Sequence, residues 1–344
     1  MPAVMIYAAG DLRVEASSRM PPGPGRVEVS IGAGGICGSD IHYYRHGGFG
    51  TIRIREPMAL GHEISGTVTA LGEGVSNLAI GTRVAVNPSQ PCGQCVYCQR
   101  GMRNECLDMR FMGSAMRFPH VQGGFRSHVV VEAAQAVPIA ETLSLAEAAM
   151  AEPLAVCLHA IQRAPSLMGK RVLVTGCGPI GALTILAARF AGAAEVVVTD
   201  IAPFPLAKAM EVGATRGINT AEEPEALDPE KAEKGQFDVV FEASGAEQAA
   251  RLALDVLRPG GTFVQLGLGG DMNLPINIMV TKEIAYVGSF RFDSEFALAV
   301  QLLGKGLIDV KPLITATLPA EQAVDAFELA TDRSRSMKTQ LSFT

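Results

Sequence analysis

Cys92, Cys95, Cys98 and Cys106 stand in the run PCGQCVYCQRGMRNEC with the spacing C-x2-C-x2-C-x7-C. Four thiolates this close along a chain can converge on one tetrahedral Zn²⁺ and leave no coordination position open, which makes a structural rather than a catalytic site. Disulfides and an iron–sulfur cluster are the other chemistries available to four such thiols. A chain of 344 residues with seven cysteines and no secretory leader reads as cytosolic, where thiols stay reduced, and the long last spacing favours zinc over a cluster.

A second group of metal donors is scattered. Cys37 lies in GGICGSDIHYY, His62 and Glu63 in MALGHEISG, and Glu152 in MAEPLAVCLHA. Thiolate, imidazole and carboxylate all bind Zn²⁺, and three protein ligands with one position left for water or substrate make a catalytic site. Taken singly, Cys37 reads as well as a small buried hydrophobe, His62 as a satisfied core histidine, and Glu152 as a helix N-terminal acid.

The third chemical feature is Gly176-Cys177-Gly178-Pro179-Ile180-Gly181, a G-x-G-x-x-G directly after RVLVT and opening the apolar run IGALTILAARFAG. In that position the glycines supply a tight turn, close approach of backbone N–H groups to a pyrophosphate, and close packing of helix on strand. The next strand, EVVVTD, ends in Asp200, whose carboxylate can accept the ribose hydroxyls of NAD and repel a 2′-phosphate. No arginine follows closely and the first lysine is Lys208, so NAD is favoured over NADP.

These groups need elements to position them. The first 150 or so residues contain short alternating runs such as RVEVSIGAGG, SGTVTALG, TRVAVNP and SHVVVE, punctuated by glycine, proline and asparagine, and predict a β-rich domain with many turns. From Leu145 the pattern becomes alanine-rich and helical. RVLVTG, EVVVTD, DVVFEASG and TFVQLGLG then alternate with helical stretches, which predicts a parallel, doubly wound sheet buried on both faces. A final strand in KTQLSFT can rejoin the first domain and make the dinucleotide unit an insertion. The length suits two domains. The net charge of −6, with both signs interspersed, supplies no basic stripe for nucleic acid. The uncharged stretch Val172 to Ala188 has the minimum length of a membrane span, but Gly176, Gly178, Pro179 and Gly181 interrupt it. Neither nucleic acid nor membrane is expected as a partner.

Together these motifs resemble the zinc-dependent medium-chain dehydrogenase family over essentially the whole chain, and CGSDIHYY, GHE and EPL are similar to its sorbitol dehydrogenase branch. The resemblance implies an α/β protein with a GroES-like catalytic domain at 1–149 and 291–344, including a structural zinc lobe near 88–110, and a Rossmann domain at 150–290. It implies two zinc ions per chain, Cys37 and His62 on the catalytic one with Glu63 and Glu152 in its inner sphere, Ser39 and His42 as relay positions for the hydroxyl proton, and a homodimer or homotetramer. It also implies Leu266, Gly267, Ser289 and Phe290 as cofactor contacts beside the glycine turn and Asp200. Cys157 and Cys177 read as packing residues.

A narrower resemblance, to the L-idonate 5-dehydrogenases, lies in DMRFMGSAMRFPHVQGGF from Asp108 to Phe125, in GSFRFDSEF from Gly288 to Phe296, and in VNPSQPCG before the cluster. It implies reversible hydride transfer from C5 of L-idonate to NAD, giving 5-keto-D-gluconate. An aldonate differs from a neutral polyol by a carboxylate. Arg291, in an FR pair that resembles a position lining the family's cleft, is the leading candidate to grip it, ahead of Arg110, Arg117 and His120; Tyr43 and Ser114 resemble further substrate contacts. A sorbitol or xylitol dehydrogenase, an L-threonine 3-dehydrogenase, and a non-catalytic nucleotide-binding sensor or structural relative are the competing readings.

Overall fold

The computed structural model describes residues 1–343. Two sheets organise it. The first has seven strands, in the order Ala136–Pro138, Arg83–Val86, Glu63–Leu71, Arg26–Gly35, Lys338–Ser342 and Ile314–Pro319, with His128–Glu132 also paired to Arg26–Gly35. Arg26–Gly35 is the hub: it pairs antiparallel with Glu63–Leu71, His128–Glu132 and the final strand. Its inward residues Val27, Val29 and Ile31 are fully buried, with Ile64, Val68, Phe125, Phe327 and Leu341, in the core beneath the sheet.

The second sheet has six strands, all parallel, in the order Arg216–Asn219, Glu195–Asp200, Arg171–Thr175, Phe237–Glu242, Leu257–Gln265 and Ala285–Gly288. Its central residues, Val172 to Val174, Val196 to Val198 and Val239 to Phe241, have no exposed surface. That explains their unbroken apolar sequences: strands covered by helices on both faces have no solvent side to alternate with. The uncharged stretch from Val172 is divided between strand Arg171–Thr175, the glycine turn and helix Pro179–Phe190. Among the described residues no helix is long and apolar enough to cross a membrane.

Helix Ala151–Arg163 joins the two sheets. Its buried face, Leu154, Ala155, Cys157, Leu158 and Ala160, belongs to one apolar cluster running from Ala85 and Leu143 near the first sheet, through Val172 and Val174 in the second, to Phe296 and Met337. After the parallel sheet, strands Ile314–Pro319 and Lys338–Ser342 return the chain to the first sheet, the last strand lying between two neighbours. Leu341, fully buried there, should be costly to truncate. Leu341→Ala is expected to cost about 2–5 kcal/mol, measured by denaturant unfolding; a loss below about 1 kcal/mol would show that the returning strand is not part of the core.

Candidate metal centres and nucleotide cleft

Two strand ends and a helix start build the first centre. Cys37 follows strand Arg26–Gly35 and caps helix Gly38–His46, while His62 and Glu63 begin strand Glu63–Leu71, paired with the same hub strand. The pairing Gly35↔Glu63 brings the two chain segments side by side. One donor atom each from Cys37, His62 and Glu63 lies within 4.8 Å of the others. His62 and Glu63 are buried, at 4% and 1% exposure.

Two residues that the sequence reading did not single out hold this cluster. Asp40 accepts hydrogen bonds from the Cys37 N–H at 3.0 Å and the Gly61 N–H at 3.2 Å, and its Oδ1 lies 3.9 Å from His62 Nδ1. It thereby ties the cysteine segment to the histidine segment through backbone donors and sets a carboxylate beside the imidazole. The C-G-S-D spacing carried that signal, since it places an acid at the third helical position behind an N-cap. Lys338, on the final strand, donates to both oxygens of Glu63 at 2.7 and 2.8 Å and to the Ile36 carbonyl at 3.1 Å. Nothing local announces it, because its partners lie some 300 residues upstream.

The electrostatics explain what such a cluster requires. Burial, reinforced by the charge of Glu63, pushes the Cys37 thiol up to about 12, although Lys338 pulls the other way. Burial also raises Asp40 and pushes Glu152, in the first turn of helix Ala151–Arg163, up to about 8. Burial pulls Lys338 down, but Glu63 and Cys37 outweigh it and hold the ammonium above its ordinary range. Sulfur, nitrogen and oxygen donors crowded in a buried space, with thiol and carboxyl driven toward their neutral forms, fit a dication that restores the anionic donors. Glu152 stands outside the 4.8 Å group, although His62, Glu63 and Cys37 all act on its charge.

The four-cysteine run forms the second centre. Donor atoms of Cys92, Cys95, Cys98 and Cys106 lie within 4.8 Å of one another, and all seven cysteines are free thiols. Backbone N–H groups point at the sulfurs: Cys92 to Cys106 Sγ at 3.1 Å, Asp108 to Cys106 Sγ at 3.3 Å, Cys95 to Cys92 Sγ at 3.4 Å and Cys98 to Cys95 Sγ at 3.5 Å. Donation from Cys98 and Leu107 brings Cys95 down to about 6, whereas burial and its sulfur neighbours push Cys98 up to about 12. Four convergent sulfurs stabilised by backbone donors fit a tetrahedral metal site.

The nucleotide cleft opens at the carboxyl ends of the parallel strands, where such sheets hold ligands. A cavity of about 300 Å³ is lined by Gly176, Gly178, Asp200, Thr220, Ser244 and Arg333, among others. Gly176 has φ +83°, and a Cβ on Gly181 would sit 1.8 Å from the Gly176 carbonyl, so this turn admits no side chain there. Asp200 receives the N–H groups of Cys177 at 2.7 Å, Ile201 at 2.7 Å and Ala202 at 3.0 Å, which locks the turn against the end of strand Glu195–Asp200. Cys177 is buried packing, as is Cys157. Leu266 and Gly267 follow strand Leu257–Gln265 and Ser289 follows Ala285–Gly288, where the buried Ser289 Oγ has no partner among the described residues. Arg333, brought in by the C-terminal segment, is a cation on this cavity that the local sequence around Asp200 could not disclose.

Of the expected substrate residues, Tyr43 is 1% exposed, and its hydroxyl accepts the Ala115 N–H at 2.9 Å beside Ser114. Ser39 and His42 share helix Gly38–His46, His42 at its exposed surface 6.0 Å from the rings of both His46 and Phe49. Two of the lesser cations prove structural. His120 accepts the Arg55 N–H at 2.8 Å while its other nitrogen faces the Arg117 carbonyl, and Arg117 reaches the Leu107 and Met109 carbonyls. Arg110 is exposed. Arg291 differs: its guanidinium lies 4.8 Å from both the Phe111 and Phe290 rings, and Phe111 in turn lies 5.4 Å from the His62 ring. It forms no ion pair within 4.0 Å among the described residues. Burial pulls its pKa below the ordinary arginine range, countered by the charge of Glu152.

Residues 23–141 match the alcohol dehydrogenase GroES-like domain and residues 179–305 match the zinc-binding dehydrogenase model. The L-idonate 5-dehydrogenase (NAD(P)(+)) of Escherichia coli strain K12 is 46% identical over 92% of this chain and 91% of the relative. The sorbitol dehydrogenase of Gallus gallus is 36% identical over 98% of this chain and 95% of the relative. A crystal structure of L-idonate 5-dehydrogenase from Escherichia coli superposes with a TM-score of 0.95 at 42% identity, covering 99% and 97% of the two chains.

If the buried cluster is the reaction centre, Cys37→Ala and His62→Ala should each lower turnover by about three orders of magnitude or more while leaving nucleotide affinity nearly intact. Steady-state kinetics, nucleotide titration and metal analysis check this; an unchanged kcat in either variant would remove the cluster from the chemistry.

Proposed function

This chain belongs to the family of zinc-binding dehydrogenases with a GroES-like alcohol dehydrogenase domain, and from that premise we propose that it is an NAD-linked L-idonate 5-dehydrogenase. The reaction is reversible oxidation of the C5 hydroxyl of L-idonate to 5-keto-D-gluconate. The observation that carries the aldonate reading is Arg291: a partly buried cation with no carboxylate partner among the described residues, one aromatic ring from His62. A cation in that state gains most from an anion brought by the substrate, and a guanidinium can hold a carboxylate through two parallel hydrogen bonds. A neutral polyol would leave it unmatched.

In this reading Cys37 and His62 hold the catalytic zinc, with Glu63 and Glu152 as its carboxylate neighbours, and the four cysteines hold the structural one. Bound zinc supplies Lewis acidity toward the substrate hydroxyl, and bound NAD accepts the hydride. The protein's own contribution is placement. Asp40 holds the Cys37 and Gly61 backbones on either side of the cluster; Lys338 holds Glu63 by both oxygens and so limits how far that carboxylate can swing. The proton released at C5 needs a route out. Ser39 and His42, three apart on one helix face, lead from the partly buried position beside Cys37 to the surface. Burial and His46 keep His42 below the ordinary imidazole range, so it is neutral and able to accept a proton at neutral pH. Tyr43 and Ser114, close to each other beside the Ala115 N–H, are the further substrate contacts in this reading.

The glycine turn, Asp200, Leu266, Gly267, Ser289 and Phe290 line the nucleotide. Asp200 favours the free ribose hydroxyls of NAD, and Arg333 on the same cavity supplies the positive charge that lets NADP serve less well. The edge strand Ala285–Gly288 and helix Ile276–Thr281 expose Tyr286 at 41%, Ile276 at 60% and Val280 at 68%, which supports a homodimer or homotetramer joined there. Seven free thiols suit the cytosol.

Arg291→Ala tests the substrate class. KM for L-idonate should rise about tenfold or more with sorbitol kinetics nearly unchanged. Equal effects on both substrates would mean that Arg291 does not meet the carboxylate. Asp200→Ser should raise KM for NAD and narrow the preference over NADP, read from initial rates with each nucleotide; an unchanged ratio would place ribose recognition elsewhere.

A further inference from the structure

We propose that the loop between the third and fourth cysteines, through Arg103 and Asn104, fixes the turn that carries Arg291 and so sets selectivity for an anionic substrate. The inference rests on the aldonate reading and adds a role for the four-cysteine lobe, which otherwise serves only the fold.

The contacts bracket Arg291. Arg103 Nε reaches Asp293 Oδ1 at 2.9 Å and Oδ2 at 3.0 Å, and Asn104 Nδ2 donates to the Phe290 carbonyl at 3.1 Å. Arg103 and Asn104 form the short turn Arg103–Glu105, whose Arg103 carbonyl receives the N–H of Cys106 at 3.1 Å. One contact therefore seizes the residue before Arg291 and the other seizes the acid two positions after it. The bracketed residue has φ +54°, in the left-handed region that a side chain with a Cβ seldom occupies. Such a conformation persists only where the surroundings over-determine it, and the lobe supplies the constraint from one side.

The lobe also supplies the surface on which Arg291 rests. Phe111, five residues after Cys106, is buried, pairs through strand Arg110–Phe111 with Ser89–Gln90, and carries the guanidinium at 4.8 Å. From the opposite side the turn is held by Asp293 N–H on Glu295 at 2.8 Å, by Glu295 on His159 at 3.0 Å, and by Arg163 on the Gly288 carbonyl at 3.0 Å. His159 and Arg163 belong to the helix that carries Glu152 in its first turn. The Arg291 turn is thus suspended between the helix bearing Glu152 and the four-cysteine lobe. A guanidinium fork recognises a carboxylate through two bonds of fixed direction, so a tilt of its backbone weakens the match although the charge remains. A neutral substrate does not feel that tilt. The Arg103–Asp293 pair is half exposed at the arginine, at 52%, so its loss should leave stability nearly unaltered and appear in kinetics.

The experiment is steady-state kinetics of zinc-replete, full-length protein with L-idonate and with sorbitol at saturating NAD, for wild type, Arg103→Ala/Asn104→Ala, Arg103→Lys, Asp293→Asn and Arg291→Ala, with zinc content measured for each. The double variant should raise KM for L-idonate about tenfold, with kcat for L-idonate, kcat/KM for sorbitol and zinc content within about twofold of wild type. Arg103→Lys should recover part of the loss. Asp293→Asn breaks the same pair from outside the lobe, so it decides the matter if the double variant does not fold, and it should shift KM for L-idonate in the same direction. If Arg291→Ala raises KM for L-idonate and the double variant and Asp293→Asn do not, the clamp is refuted while the substrate reading stands. Parallel losses on both substrates would reduce the contacts to scaffolding and overturn the proposal. If Arg291→Ala leaves L-idonate kinetics unchanged, the substrate reading falls and the clamp falls with it.

Discussion

One buried ion pair, Lys338 with Glu63, ties the last strand of the chain to the cluster of Cys37, His62 and Glu63. Both side chains are at most 2% exposed, and the pair joins the last strand to the start of Glu63–Leu71 beside Cys37. A buried charge that loses its partner costs about 3–5 kcal/mol, so the two must arrive together or the site does not close. The first sheet is therefore incomplete until the chain has passed through the parallel sheet and come back. The final strand enters between Arg26–Gly35 and Ile314–Pro319, and only then is Lys338 delivered. That constraint places the nucleotide unit within the path of the catalytic one and holds the two around a common cleft.

From that anchor the cleft is laid out by charge. Cys37, Glu63 and Glu152 gather near Lys338, and a dication would favour their anionic forms. Asp40 joins the two strand ends through backbone donors rather than through solvent. One aromatic ring away stands Arg291, a positive charge with no ion pair among the described residues. At the other end, Asp200 closes the glycine turn and Arg333 offers the cavity a cation. Hydride transfer needs two reactants held in register, and in the proposed reading these charges would hold a hydroxyl, a carboxylate and a dinucleotide in the cleft.

Much of this was legible in sequence because it is local. The apolar runs RVLVTG, EVVVTD and DVVFEASG identify parallel strands buried on both faces, and the glycine turn follows from strand, turn and helix in order. The four-cysteine lobe declares itself within fifteen residues. Cys37 with His62 and Glu63 is harder, since strand pairing must unite residues at least twenty-five positions apart. What was not legible depends on distant chain: Lys338 and Arg333 reach the site from the C-terminal segment, and neither looks unlike a surface cation in its own neighbourhood. His120 shows the converse error, where a histidine in a promising segment is consumed by backbone partners at both ring nitrogens. Asp40 lay within reach, since its capping position was visible in CGSD.

The most direct test of the account is the initial rate of NAD reduction by zinc-replete protein with L-idonate and sorbitol side by side. A kcat/KM for L-idonate at least about tenfold above sorbitol is the predicted result, because in the proposed reading only the aldonate brings a carboxylate to Arg291, which has no ion pair among the described residues. Equal or better activity on sorbitol would contradict it and return the chain to the neutral polyol dehydrogenases.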